Sequence, residues 1–412
     1  MKKFSPHHGF STLVNHADEG NNPYDAHVMP IYQTSTFSFP DVASAPALFS
    51  GERSGYYYTR MDNPNANQLA RKYAILEGVD LLRAQPEVDV DEVLGGKIFA
   101  SGMAAISAAI LSRARVGDTI ISQRALYGNA FGFLNEIAPR LGLQVIWLEG
   151  TSTENWEAAF RDHPGAVIAY TESPVNPTME IVDLAAVLDI AHQHGAWVIV
   201  DNTFATPYCQ RPLTIGADVV VHSTTKYLTG HGLVIGGAVV STQLDYMRQD
   251  IKRTMRLHGG APSPFDAWLA NVGLKTFELR MQRHCENAMA VAKYLDAHPK
   301  VATVNYPGLP DFPGHEVART QMHCFGGMLS FELKGGFQAG ENLMNSMRMI
   351  TLAVSLGNVD SLIQHPASMT HRSVPTEARR MMGITDGLVR FSVGIENVED
   401  IIADLEQGLK NV

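Results

Sequence analysis

Between residues 96 and 241 short β-branched runs alternate with stretches of helical length: "GKIFAS", "GMAAISAAILSRA", "DTIISQ", "GNAFGFLNEIAPRLG", "QVIWLE", "ENWEAAFRD", "AVIAYTES", "DLAAVLDIAHQHG", "WVIVDN", "ADVVVHST" and "IGGAVVS". Strands that read as continuous apolar runs are buried on both faces, and a helix between two of them returns the chain in the same direction. The alternation therefore predicts an α/β fold with a mostly parallel sheet covered by helices on both sides. Gly142 and Gly195 close two of the helical stretches, as glycine does where a left-handed residue ends a helix.

At 412 residues the chain is too long for one hydrophobic core. After "GLKTFELRMQRHCENAMAVAKYLDAHP" the pattern changes to a long helix followed by strands such as "MLSFELKG" and "GLVRFSVGIE", a smaller α+β unit. Before residue 62 periodicity is weak and Pro, Asn and Tyr are frequent, so this arm is expected to wrap a partner subunit rather than its own core. The expected organisation is an arm over 1–62, a large domain over 63–275 and a small C-terminal domain over 276–412. The acidic stretch "AQPEVDVDEVLGG", residues 84–96, reads as a solvated surface loop.

A net charge of −10 with both signs mixed along the chain leaves no electrostatic footprint for nucleic acid or an anionic membrane. No apolar run approaches the ~18 residues of a membrane span, and no apolar stretch follows the lysines of "MKKFSPHHGF". A soluble, cytoplasmic protein is expected. Cys209, Cys285 and Cys324 are far apart in sequence without CxxC spacing, so they read as separate reduced thiols and no metal site is expected.

In an open parallel sheet, ligands sit beyond the carboxyl ends of the strands. "WVIVDNTFATP" ends a strand on Asp201, and "ADVVVHSTTK" ends another on Ser223, Thr225 and Lys226. "FASGMAAIS" starts a helix at Gly102 and Met103, where free N–H groups and the helix dipole suit a phosphate. "RALYGNAFGF" places Tyr127 just after the next strand. Singly, each has a plainer reading: a turn former for Asp201, a core aromatic for Tyr127, an exposed lysine for Lys226. Together, a phosphate cradle, a carboxylate, an aromatic ring and an amine on one edge match what pyridoxal 5'-phosphate (PLP) needs. A dinucleotide enzyme fits worse, because no GxGxxG follows the first strand.

"YYYTRMDNPNANQLARKYAILEG", "SGMAAI", "LYGNAFGF", "TESPVNPTMEIVDL", "VDNTFATPYCQRPLTIGADVVVHSTTKYLTGHG", "LAVSLGNVDSLIQHPASMTH" and "GLVRFSVGIE" together resemble the Cys/Met-metabolism PLP enzymes, from about residue 9 to 410. The resemblance implies a fold type I, aminotransferase-like subunit in a homotetramer of active dimers. Lys226 would hold the cofactor as a Schiff base and act in catalysis with Tyr127. Asp201 would pair with the pyridinium and Tyr127 would stack on the ring. Gly102, Met103, Ser223 and Thr225 would bind the phosphate, helped by Tyr58 and Arg60 from the neighbouring subunit. Arg390 would take the substrate carboxylate, with Asn176 and the Ser355 backbone nearby; an Arg fork suits that group.

Within the family, methionine γ-lyases look most similar, at "STTKYLTGHG" and "AVSLGNVDSLIQHPASMTH". Gly132 and Val354 stand where cystathionine γ-lyases usually carry Arg and Glu, leaving Phe131, Phe133 and Val354 for an apolar tail. Two positions depart from methionine γ-lyases: Asn129 replaces a typical Cys, and Met255 and Arg256 replace a Lys-Asp pair. Residues 81–95 resemble an insertion. The expected reaction is γ-elimination on methionine; the alternative is γ-replacement on an O-acyl-L-homoserine, with a catalytically silent binding protein as a remote third.

Overall fold

The structure is a computed structural model that describes residues 5–412 except 21, 370, 371, 373–375 and 382. Thr370 and His371, which close the "QHPASMTH" motif, are therefore outside the described residues.

Seven strands form the larger sheet: β1 (Gly95–Phe99), β2 (Thr119–Gln123), β3 (Gln144–Leu148), β4 (Ala166–Glu172), β5 (Trp197–Asp201), β6 (Val219–His222) and β7 (Gly237–Ser241). Their order is β1-β7-β6-β5-β4-β2-β3. The run from β6 to β3 is parallel, whereas β7 is antiparallel to both of its neighbours, so the sheet is mixed at one edge. The strand period of two sorts the core. Val198, Val200 and Val220 face a cluster that holds Leu184, Val187 and Leu188 of one helix with Trp156 and Phe160 of another. Ile199, Val219 and Val221 face the opposite cluster, with Ala105, Ile106, Ala109 and Ile110 of the helix Gly102–Arg113. Both faces are covered, which is why these strands are apolar throughout.

The helix Phe277–Asp296 leads into a five-stranded sheet of β8 (Val301–Asn305), β9 (Met328–Leu333), β10 (Thr351–Leu352), β11 (Leu362–Gln364) and β12 (Leu388–Ser392). Its order is β10-β11-β12-β9-β8. Among the described residues no helix is long and apolar enough to cross a membrane.

Two local readings of the sequence are corrected. The start of the arm packs on this chain's own core: Leu13 and Val14 of the helix Phe10–His16 are buried, and the buried Lys72 ammonium donates to Val14 O at 3.2 Å and to Glu19 at 2.6 Å. Tyr24, Val42 and Phe49, by contrast, are exposed. Residues 84–96 are not a plain solvated loop. A short helix, Val90–Val93, places Val90 and Leu94 one turn apart in the core, while Asp89 and Asp91 turn outward to Arg71. The acidic composition described only the outer side of this segment.

Candidate active site

The helix Gly102–Arg113 begins where β1 ends, and the Ser101 hydroxyl caps it by accepting the Ala104 N–H at 3.1 Å. The other N–H groups of that first turn have no intrahelical acceptor. Gly102 lies against Ser223: a Cβ built there would be 2.8 Å from the Ser223 Cβ, so only glycine lets the helix start approach the turn after β6 so closely. That turn is fixed in place. The Ser223 N–H donates to the Thr203 hydroxyl at 2.8 Å, and the Thr225 hydroxyl accepts from the Gly236 N–H at 2.9 Å. The structure thus brings Gly102, Met103, Ser223 and Thr225 to one edge, as the sequence predicts.

Asp201 ends β5 and is in register with Glu172, which ends β4. Burial pushes both carboxyls up, and for Glu172 the Asp201 charge adds to it. Asp201 accepts the Thr203 N–H at 3.0 Å. Among the described residues neither carboxylate has a lysine or arginine partner. With no cation beside it the pair favours its protonated forms, and an aromatic cation placed there would draw it back toward the charged form. Glu172 was missed in the sequence, although it sits inside "TESPVN" and obeys the same strand-end rule as Asp201. It organises two expected site residues, accepting the N–H of Tyr127 at 2.9 Å and of Asn176 at 2.8 Å.

Behind them, Glu77 is fully buried and accepts from Asn202 at 2.8 Å, with His222 Nε2 at 2.5 Å from the same oxygen. These residues were also missed: Glu77 lies in a helix, where no edge rule points to it.

Lys226 follows the Ser223 turn, and its ammonium donates to the Ser355 hydroxyl at 2.9 Å. Burial, then the Arg390 charge, lowers its pKa from 10.5 to about 8. Arg390, on β12, is buried rather than a surface charge; burial pushes it down to about 10. Its two terminal nitrogens donate to the Asn176 side-chain oxygen at 3.2 Å and the Ser355 carbonyl at 2.6 Å. Ser355 therefore engages both cations. It has a φ of +87°, the left-handed region, which costs a non-glycine residue about 1–3 kcal/mol.

The remaining residues are more open. Tyr127 is 41 % exposed, and its hydroxyl accepts the Asn129 amide N–H at 2.9 Å. Val354 is 57 % exposed beside Ser355. Phe131 and Phe133 pack instead on the core under the sheet, Phe131 against Trp147 with ring centroids 4.9 Å apart, which corrects their reading as a pocket for an apolar tail. Tyr58 and Arg60 are not brought to the Lys226 edge by any described contact. Arg60 lies over the Tyr58 ring at 5.3 Å and donates to the Arg256 carbonyl.

Comparison with known proteins agrees with this geometry. The model of the Cys/Met metabolism PLP-dependent enzyme family matches residues 11–410. L-methionine gamma-lyase from Porphyromonas gingivalis is 46 % identical over 406 residues, covering 98 % of each chain. Among solved structures, metB from Corynebacterium glutamicum is 39 % identical with a TM-score of 0.89, covering 99 % of this chain and 100 % of that one. Cystathionine gamma synthase from Xanthomonas oryzae, in complex with aminoacrylate and cysteine, is 38 % identical with a TM-score of 0.88 and 97 % coverage of both. The chain belongs to the Cys/Met-metabolism PLP-dependent enzymes, with the fold type I architecture. It is a PLP-dependent enzyme of sulfur-amino-acid trans-sulfuration, acting by γ-elimination or γ-replacement.

Proposed function

We propose that this member of the Cys/Met-metabolism PLP-dependent enzymes catalyses γ-replacement on an O-acyl-L-homoserine, exchanging the acyloxy group for an incoming thiol. The observation that carries the reading is the Asn129 amide bonded to the Tyr127 hydroxyl. An amide offers N–H donors to an ester carbonyl or a departing carboxylate but holds no titratable proton. A carboxylate leaves without being protonated, whereas a thiolate is basic enough to need a proton. The residue also departs from the Cys that methionine γ-lyases resemble one another in carrying there.

The residues fit PLP. A pyridinium beside the buried Asp201 and Glu172 would draw that pair into its charged form, Gly102, Met103, Ser223 and Thr225 would hold the phosphate, and the Lys226 amine would form the Schiff base. When bound, PLP supplies the electron sink that makes the substrate's Cα and Cβ protons acidic. Arg390 binds the substrate carboxylate, with Asn176 fixing one side of its fork. Lys226, with a pKa near 8, is a competent base for the Cα proton near neutrality. Tyr127 would stack on the cofactor ring, and its hydroxyl, held by Asn129, would serve the Cγ substituent.

A second reading, γ-elimination on methionine, is favoured by Val354, an exposed apolar side chain next to Ser355, and by the similarity to a methionine γ-lyase. The deciding assay supplies the PLP-loaded enzyme with O-acetyl-L-homoserine with and without a thiol, and with L-methionine in parallel. Thioether formation that suppresses 2-oxobutanoate release supports replacement. Faster 2-oxobutanoate release from methionine than turnover of the ester would overturn it.

The arm's exposed Tyr24, Val42 and Phe49 support the further proposal that the enzyme is a homotetramer of active dimers in which Tyr58 and Arg60 serve the neighbouring site. Mixing Arg60→Ala subunits with Lys226→Ala subunits tests it. Activity recovered in the mixture supports shared sites, and none recovered refutes them.

A further inference from the structure

The three cysteines, separate in sequence, converge in the fold. Their sulfurs stand 3.1 Å (Cys324–Cys209), 3.4 Å (Cys285–Cys324) and 3.9 Å (Cys209–Cys285) apart. Each comes from a different part of the molecule. Cys209 ends the short helix after β5, Cys285 lies on the helix Phe277–Asp296, and Cys324 is in the loop before β9. Among the described residues no other three His, Cys, Asp or Glu side chains converge in this way. None of the three takes part in the chemistry proposed above.

We infer that Cys209, Cys285 and Cys324 form a binding site for one thiophilic d10 cation, Zn(II) or Cu(I), held by three thiolates. Thiolates select these ions over harder ones. A triangle with these edges has a circumradius of about 2 Å, so an ion at the usual ~2.3 Å metal–sulfur distance sits about 1 Å out of the sulfur plane. That leaves a pyramidal site with one open coordination position. A cavity lined by Phe10, Arg83, Tyr208, Arg211, His323 and Cys324 reaches the cluster from outside, giving an entry path and room for a water ligand. On binding, three S–H bonds break, three sulfur–metal bonds form and three protons leave to solvent; no oxidation state changes. The complex carries a charge of −1 with Zn(II) or −2 with Cu(I), and Arg83 and Arg211 on the cavity wall, which share Asp80 at 3.1 and 2.6 Å, leave one positive charge toward it. A disulfide would join only two of the sulfurs and leaves the third unexplained.

The site would tie the segment after β5, the long connecting helix and the small sheet together at one point. The test uses the untagged, fully reduced, PLP-loaded enzyme under anaerobic conditions, titrated with Zn(II) or Cu(I) against chromophoric chelators and, separately, with Co(II) for sulfur-to-metal charge transfer. One ion per chain, three protons released and a charge-transfer band are expected. Cys324→Ser and Cys285→Ser should each weaken binding by at least ~10²-fold while keeping the cofactor absorbance, which reports folding. If Cys285→Ser fails to fold, the partly exposed Cys324→Ser decides alone. Binding in the zinc arm or the copper arm identifies the ion. Failure of both ions to bind, or equal affinity in wild type and Cys324→Ser, would overturn the site.

Discussion

The cofactor-facing edge of the large sheet and the substrate-facing rim are built differently. At the first, Asp201, Glu172, His222 and Glu77 are buried and their neighbours are fixed by hydrogen bonds between strand ends. At the second, Tyr127, Asn129 and Val354 stand largely in the open. Buried polar groups are costly to leave without partners, so such an edge tolerates few residue choices, and on the proposed reading it carries the cofactor chemistry. Exposed side chains are freer to vary, and on the proposed reading the choice between elimination and replacement rests with them.

Changes at the buried edge should therefore be severe and indifferent to substrate. Lys226→Ala is expected to abolish the cofactor's Schiff-base absorbance and lower turnover of every substrate by at least ~10³-fold, read in parallel spectra and assays. Retained turnover would remove Lys226 from the mechanism.

Arg390→Ala should lower kcat/KM by ~10² or more, the cost of truncating a buried charge proposed to bind the substrate carboxylate, and leave the absorbance in place. A change confined to the absorbance would contradict its place on the substrate side.

For Glu172→Gln the expected loss is about tenfold in kcat/KM, since one of two backbone N–H bonds loses its acceptor. The absorbance spectrum should shift as well, because a titratable group beside Asp201 is gone. A variant with wild-type kinetics and spectrum would mean that Glu172 positions nothing.

Asn129→Cys, on the open rim, should move the ratio of methionine to O-acetylhomoserine turnover by only a fewfold, with the total little changed. An unaltered ratio would detach Asn129 from reaction choice.

The mildest effect is on stability. With Lys226 at about 8 in the fold and 10.5 unfolded, the unfolded chain binds more protons between those values. Cofactor-free enzyme should thus gain stability from this group as pH rises from about 8 toward 10.5, and Lys226→Ala should lack that increment. Melting of both across this range measures it.

Much of the buried edge was legible because it obeys one rule: residues just past apolar strand runs gather in space. That rule brought out Lys226, Asp201 and Ser223, and applied to "AVIAYTES" it would have found Glu172. The resemblance to a known family, rather than periodicity, brought in Arg390, on the other sheet, and Ser355, in the loop after β10. The direction of β7 was not legible, since an apolar run reads the same in either direction. Nor was the cysteine triangle, whose members are 76 and 39 residues apart and meet only once both sheets have folded. Residues 84–96 misled through composition, because two buried apolar side chains one turn apart outweigh four exposed acids.

Ser355 gives substrate binding a particular character. Its hydroxyl accepts from the Lys226 ammonium and its carbonyl accepts from Arg390, so one residue holds both cations of the cofactor-free chain. On the proposed reading the two tethers are given up at different times: the first when the cofactor takes the Lys226 amine, the second when a substrate carboxylate takes the Arg390 fork. The loop that carries Ser355 thereby keeps the carboxylate-binding group oriented after the lysine has left, and a carboxylate arrives by exchange of partners rather than by capture of an idle charge.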